Sequence, residues 1–184
     1  HTRITGRRVA DNAISFAFSA QWASTHSPNE MRPGPFGERI VNSFANAGYQ
    51  LATDSLQVAT GRALVEVYPL VALVRLMNAA VRPAYKVAKI SKYYRNIVPP
   101  LSKELRIKRL LEVWAEILTA LGREISDFHF ELPERPLKSA TKLKPYEDKL
   151  DAIICAWVGA CVIEKEAQPF GNHDSAIWAP ICAG

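Results

Sequence analysis

The chain has 184 residues, the size of one compact domain. With 48% hydrophobic, 22% charged and 9% aromatic residues it carries enough apolar surface for a core, which excludes a disordered tail. No apolar run reaches the ~18 residues that a bilayer-spanning helix requires, so a transmembrane segment is excluded as well.

The formal net charge of +5 is unevenly placed. Nine basic residues lie between Arg82 and Arg109 with one acid, Glu104, so that segment is +8; the remainder, 14 basic against 17 acidic residues, is −3. The sequence opens His1-Thr-Arg-Ile-Thr, without Met and without the basic-then-apolar pattern of a secretory signal, so a removed start or a longer parent is expected. The cysteines Cys155, Cys161 and Cys182 are odd in number and form no CxxC pair, which suggests neither a disulfide framework nor a zinc ribbon. They favour an intracellular, cytoplasmic location, with Cys155 and Cys161 acting as small hydrophobes inside a helix.

In chain order, Val9, Ala13, Phe16, Ala17 and Ala20 share one helical face over 8–20. The turn formers of Ser24–Pro28 and Met31–Pro35 follow as loops. A second helix is predicted over 36–47, with Ile40, Val41 and Phe44 on one face and Gly48 as its C-cap. Ala63–Tyr68 reads as a short buried strand stopped by Pro69, and a helix over 70–80 leaves it directly. The basic stretch then runs to Pro99-Pro100. Ser102 caps a long helix with the stripe Ile107, Leu110, Leu111, Trp114, Ile117, Leu118 and Leu121, ended by Gly122. Ser126–Leu137, with Pro133 and Pro136, holds no long element. Pro145 opens a last helix to about Glu166, its core face being Leu150, Ile153, Ile154, Trp157 and Cys161. A turn over Pro169–Asn172 leads to a short strand, Ser175–Ala179. Two short strands among five helices are too few to stand alone, so the Ala63–Tyr68 strand needs a partner.

Three carboxylates stand out. Glu66 lies at the centre of that strand, where an unpaired charge costs several kcal/mol unless a cation meets it. Asp148 and Asp151 are three apart at the start of the last helix and share a face. Two of them have an ordinary reading: Asp148 complements the helix dipole, and Glu66 faces water if the strand is an edge, exposing Leu64 and Tyr68 with it. Together, a strand carboxylate and a helix pair suit a hard divalent cation, Mg²⁺ or Mn²⁺. Two such ions about 3.5–4 Å apart activate water for phosphodiester hydrolysis. A +8 segment beside them would hold a phosphate backbone, though such a segment is also simply a solvated face. His26 and His173 stand alone in loops, and no glycine-rich phosphate loop is present. Trp114 and Trp157 fall on core faces; Tyr93 and Tyr94 either stack on unpaired bases or pack in their loop.

Val65-Glu66-Val67-Tyr68-Pro69, Arg82-Pro-Ala-Tyr85-Lys86, Tyr146-Glu-Asp-Lys-Leu-Asp151-Ala-Ile-Ile-Cys-Ala-Trp157 and Ala176-Ile-Trp-Ala-Pro180 occur in that order. So arranged, they resemble the motifs of the DUF429 family, predicted nucleases with a ribonuclease H-like fold. Ser24-Thr-His-Ser-Pro28 is similar to the stretch ahead of that family's EVYP strand, so the resemblance covers essentially the whole chain. The helix pair is also similar to the final acidic pair of RuvC-type resolvases, which share the fold. The resemblance implies metal-ligating and catalytic roles for Glu66, Asp148 and Asp151, and a phosphate contact for Lys86. The family's leading strand with its Gly-x-Asp motif has no counterpart here; the only early acid is Asp11, in a helical segment.

The expectation is one α/β domain over 1–184, ribonuclease H-like, helix-rich because the leading β-hairpins are missing. Its expected function is a divalent-metal-dependent nuclease or phosphodiesterase acting on DNA or RNA, with Arg82, Lys86 and Lys89 holding the nucleic acid. The alternative is a non-catalytic nucleic-acid- or protein-binding module with an incomplete metal site. No membrane partner is expected, and a sheet edge left open by the missing strands would allow a homodimer.

Overall fold

Two prolines and a serine set where three core helices begin. Pro69 and Pro145 occupy first-turn positions, where the missing N–H has no partner to lose. The Ser102 hydroxyl accepts the Leu105 N–H at 3.2 Å. The computed structural model describes residues 6–26, 31, 35–54, 58, 61–133 and 139–181. In chain order these form α1 (Val9–Phe18), α2 (Pro35–Asn46), β1 (Gln50–Leu51), β2 (Ala63–Leu64), β3 (Glu66–Val67) and α3 (Pro69–Leu76). There follow α4 (Ile90–Tyr93), α5 (Lys103–Glu124), α6 (Lys144–Ile163), β4 (Ala167–Asn172) and β5 (Ser175–Pro180). The fold class is α/β, as the sequence predicts. Pro136, Leu137 and Cys182, and the turn residues Ser27, Pro28 and Arg32–Gly34, lie outside the described residues.

Two small sheets organise the chain. β1 and β2 pair in parallel. β3, β5 and β4 form the second sheet in that order, β3 parallel and β4 antiparallel to β5. All six residues of β5 are buried, so both of its faces are covered. α1 lies against β4 and β5, α3 and α6 lie against β5, and α5 packs on α3. The α5 stripe Ile107, Leu110, Leu111, Trp114, Ile117 and Leu121 is buried as its spacing requires. One hydrophobic core joins these helices to the second sheet.

Several elements differ from their sequence reading, each for a physical reason. The strand predicted over Ala63–Tyr68 divides at Val65, β2 pairing with β1 and β3 with β5. Each half has its backbone paired by a different strand, so the ladder breaks where the partner changes. The turn predicted over Pro169–Asn172 is part of β4, a strand paired on one edge only among the described residues. An edge strand tolerates Pro169, which has no N–H to donate. Gly171 permits the close approach of β5: a Cβ there would lie 1.9 Å from the Ser175 carbonyl oxygen.

Gly122 does not end α5, which continues to Glu124. α3 stops at Leu76, short of the predicted 80, and Asn78 takes a left-handed φ of 45°. α2 forms where expected, yet none of its residues is buried, so its Ile40 and Phe44 face is not a core face. α1 presents Ala10, Asp11, Ile14 and Phe18 to the interior, and Phe16 of the predicted stripe is 92% exposed.

The Trp178 indole N–H donates to the Ala52 carbonyl at 3.0 Å, tying β5 to the residue after β1. Trp178→Phe keeps the ring packing and leaves that buried carbonyl unpartnered. The expected loss is about 1–3 kcal/mol, read as a lower urea midpoint with an unchanged slope.

Candidate metal centre and its basic flank

The first turns of α6 carry three carboxylates. Glu147 falls in phase with Leu150, Ile154, Trp157 and Cys161, so the helix turns it inward and it is buried. Asp148 and Asp151 stand beside it, the first exposed and the second partly so. One oxygen from each of Glu147, Asp148 and Asp151 can be chosen so that all lie within 4.8 Å of one another. These three residues could hold a metal ion, and an all-oxygen set suits a hard divalent cation.

Two ammonium groups hold this set. Lys86 Nζ pairs with Asp151 Oδ2 and lies 3.4 Å from Glu147 Oε1. Lys144 Nζ reaches Glu147 Oε1 at 2.9 Å and Asp148 Oδ1 at 2.5 Å. Burial pulls the Lys144 ammonium toward neutrality, and its hydrogen bonds to Asp148 and Glu147 outweigh that, keeping it charged beyond the usual lysine range. Two lysines thus supply the same +2 that one divalent cation would bring. A divalent ion on these carboxylates would therefore take the place of lysine charge rather than add to it.

The segment that carries Lys86 is fixed from three sides. The Trp114 indole N–H donates to the Tyr85 carbonyl at 2.8 Å. The Val87 N–H donates to Glu147 Oε2 at 2.6 Å, and the Lys86 N–H to the Tyr93 hydroxyl at 3.3 Å. Tyr85 is fully buried and its hydroxyl donates to Asp151 Oδ1 at 2.8 Å. Burial and the neighbouring Asp151 push its phenol far above the ordinary range, so it remains a donor. Core packing therefore orients both Asp151 and Glu147.

Beside the carboxylates lies a group of like charges. Lys89 is pulled below its ordinary value by burial and then by the charges of Arg82, Lys92 and Lys86. Among the described residues no carboxylate forms an ion pair with Arg82, Lys89 or Lys92. Unpaired cations that repel one another form a place for an anion. Of the Arg82–Arg109 stretch, Lys86 reaches the acidic cluster.

Glu66 lies outside the three-carboxylate group. The Arg8 guanidinium grips it in a two-pronged pair, Nη1 to Oε2 at 2.7 Å and Nη2 to Oε1 at 2.6 Å. The same Arg8 reaches Asp11 Oδ1 at 3.0 Å and Oδ2 at 3.1 Å, and Asp11 is only 1% exposed. The Glu66 hydrogen bond, together with Asp11, raises the Arg8 guanidinium well above its ordinary value. Asp148 and Asp151 thus come together with Glu147, while Glu66 belongs to a second ionic cluster linking α1 to β3.

Sequence reasoning passed over Glu147 and Arg8. Glu147 carried a signal: stepping back from Leu150 along the apolar stripe lands on it. Arg8 carried none, since Glu66 is 58 residues away. Of the thiols among the described residues, burial raises Cys155, and burial with Glu166 and Glu124 pushes Cys161 up to about 11, so neither is an activated nucleophile. His173 is exposed, its ring 3.4 Å from Asp174 and its carbonyl accepting the Thr53 hydroxyl at 3.2 Å. Tyr93 and Tyr94 pack edge to face, with centroids 6.3 Å apart. Among the described residues, no helix is long and apolar enough to cross a membrane.

Arg8→Met strands the buried Asp11 charge and is expected to cost about 3–5 kcal/mol. Glu66→Gln is expected to cost less, because that carboxylate is 34% exposed and Arg8 still meets Asp11. Urea unfolding of both variants checks the order.

A family model described as "Protein of unknown function (DUF429)" matches residues 5–176. No curated protein and no solved structure matches the chain. With nearly its whole length matched, and with the ordered motifs around Glu66, Lys86, Asp151 and Trp178, this chain belongs to the DUF429 family.

Proposed function

We propose that the protein is a divalent-metal-dependent phosphodiesterase acting on nucleic acid, with a ribonuclease H-like arrangement of its sheet and α6. The convergence of Glu147, Asp148 and Asp151 beside the unpaired cations Arg82, Lys89 and Lys92 carries this reading. The three carboxylates hold Mg²⁺ or Mn²⁺. When bound, the ion neutralises charge on a phosphodiester and lowers the pKa of a water. Tyr85 and the Val87 N–H fix Asp151 and Glu147, so the ligands are oriented before any ion arrives. Arg82, Lys89 and Lys92 hold the substrate's phosphates and leave its bases unread, which suits an enzyme that selects by backbone. Glu66, engaged on both oxygens by Arg8, is not counted in the ligand set.

A second reading draws on the lysines. With Lys86 and Lys144 already neutralising the carboxylates, the chain could bind nucleic acid without metal and without cleaving it. Calorimetric titration with Mn²⁺ separates the two. Saturable binding that Asp151→Asn and Glu147→Gln abolish and Glu66→Gln leaves intact is expected, with cleavage of a labelled oligonucleotide lost in the same two variants. Metal-independent oligonucleotide binding with no Mn²⁺ heat would favour the second reading and end the first. In either case Arg82→Ala and Lys89→Ala should each lower the salt slope of oligonucleotide binding by about 1.

Homodimer formation is also proposed, since among the described residues β1 and β4 are each paired on one edge only. Sedimentation equilibrium showing a monomer at all concentrations would exclude it.

A further inference from the structure

A divalent cation at the acidic cluster meets a cation already in place. The Lys86 ammonium sits on Asp151 Oδ2, 3.4 Å from Glu147 Oε1 and 4.5 Å from the centre of the Tyr85 ring. We propose that Lys86 is a displaceable counter-ion: a divalent cation takes its place on Asp151 and Glu147, and the freed ammonium joins Arg82 and Lys89 on a phosphate of the nucleic acid. Metal and nucleic acid then strengthen each other's binding. This rests on the metal-centre reading above.

Lys86 differs from Lys144 in its surroundings. Lys144 pairs with residues three and four positions along its own helix, and its side chain is half exposed. Lys86 comes from another segment, and its backbone is held by the Tyr93 hydroxyl while the residues on either side are held by Trp114 and Glu147. What remains free to move is a four-carbon stem with an ammonium at its tip.

That ammonium stands between two fields. On one side are carboxylates; on the other is Lys89, whose ammonium is pulled below its ordinary value by burial and then by the charges of Arg82, Lys92 and Lys86. Repulsion keeps Lys86 on the carboxylates while both neighbouring sites lack ligands. A divalent ion removes its partners and a phosphate reverses the repulsion, so the two ligands act on one side chain in the same direction. Linkage makes the effect reciprocal: whatever factor the metal adds to phosphate affinity, the phosphate adds to metal affinity.

Three measurements on the full chain test this. Mn²⁺ titration of Lys86→Met is expected to show affinity raised on the order of tenfold over wild type, because the competing cation is gone. A phosphorothioate oligonucleotide, which resists hydrolysis, should bind wild type several-fold tighter with Mn²⁺ than without, and Lys86→Met should show a clearly smaller gain, the part that the ion makes directly to the phosphate. In wild type, acetic anhydride labelling followed by mass spectrometry should find Lys86 protected without metal and exposed with Mn²⁺, while Lys108, 58% exposed, is labelled alike in both. This last readout needs no variant and so does not depend on Lys86→Met folding. Mn²⁺ binding with unchanged Lys86 labelling would overturn the inference and leave the metal centre standing. No Mn²⁺ binding by wild type or variant would overturn both.

Discussion

A carboxylate that a helix turns into the core must meet a cation there, and two helices of this chain impose that condition. Asp11 on α1 lies in phase with Ile14 and Phe18, and Glu147 on α6 lies in phase with Leu150 and Ile154. Leaving either charge unpaired in the interior would cost several kcal/mol, a large part of a domain's net stability. Arg8 answers Asp11, and in doing so reaches across to Glu66 and fastens α1 to β3. Lys144, Lys86 and the Val87 N–H answer Glu147, and fasten the start of α6 to the 85–87 segment.

These two requirements account for features that apolar packing leaves open. α1 buries the Asp11 face and leaves Phe16 in water, the reverse of what side-chain hydrophobicity alone favours. The gain is a satisfied charge, with Phe18 placed against the Phe170 ring of β4 at 5.5 Å between centroids. Tyr85 is drawn fully into the core, where its hydroxyl serves Asp151 and its carbonyl takes the Trp114 indole N–H. Through that chain the long helix α5 supports the acidic cluster without contributing a charge to it. A polar group oriented by packed aromatic residues has few other positions to adopt, which is what a ligand site needs.

The elements of this fold were legible to different degrees. Helix starts were plain because their signals are local: Ser102 caps α5, and Pro69 and Pro145 stand in first turns. The α5 stripe was plain because it contains only apolar residues. The α1 face was misread because counting apolar positions gives Asp11 no place inside. β4 was read as a turn because Pro169 and Gly171 are turn residues in isolation; pairing with β5 on one edge makes a strand of them. Asp148 and Asp151 are legible by spacing, whereas Glu147 goes unmarked because a stripe traced by apolar residues stops at Leu150, one turn before it. The likeness of the ordered motifs to the DUF429 family was legible over the whole chain, and the family match over 5–176 agrees with it.

By itself the sequence determined the α/β class, the starts of the main helices, the placement of +8 within 82–109, and the family, because each of these depends on neighbours in the chain or on ordered motifs. Tertiary structure decided which charges meet. It gave Glu66 to Arg8, brought Lys86 to Asp151 across 65 residues, and separated the three carboxylates singled out by the motifs into two clusters. Coulombic partners are chosen by distance in space, which spacing along a chain does not encode once the segments come from different elements.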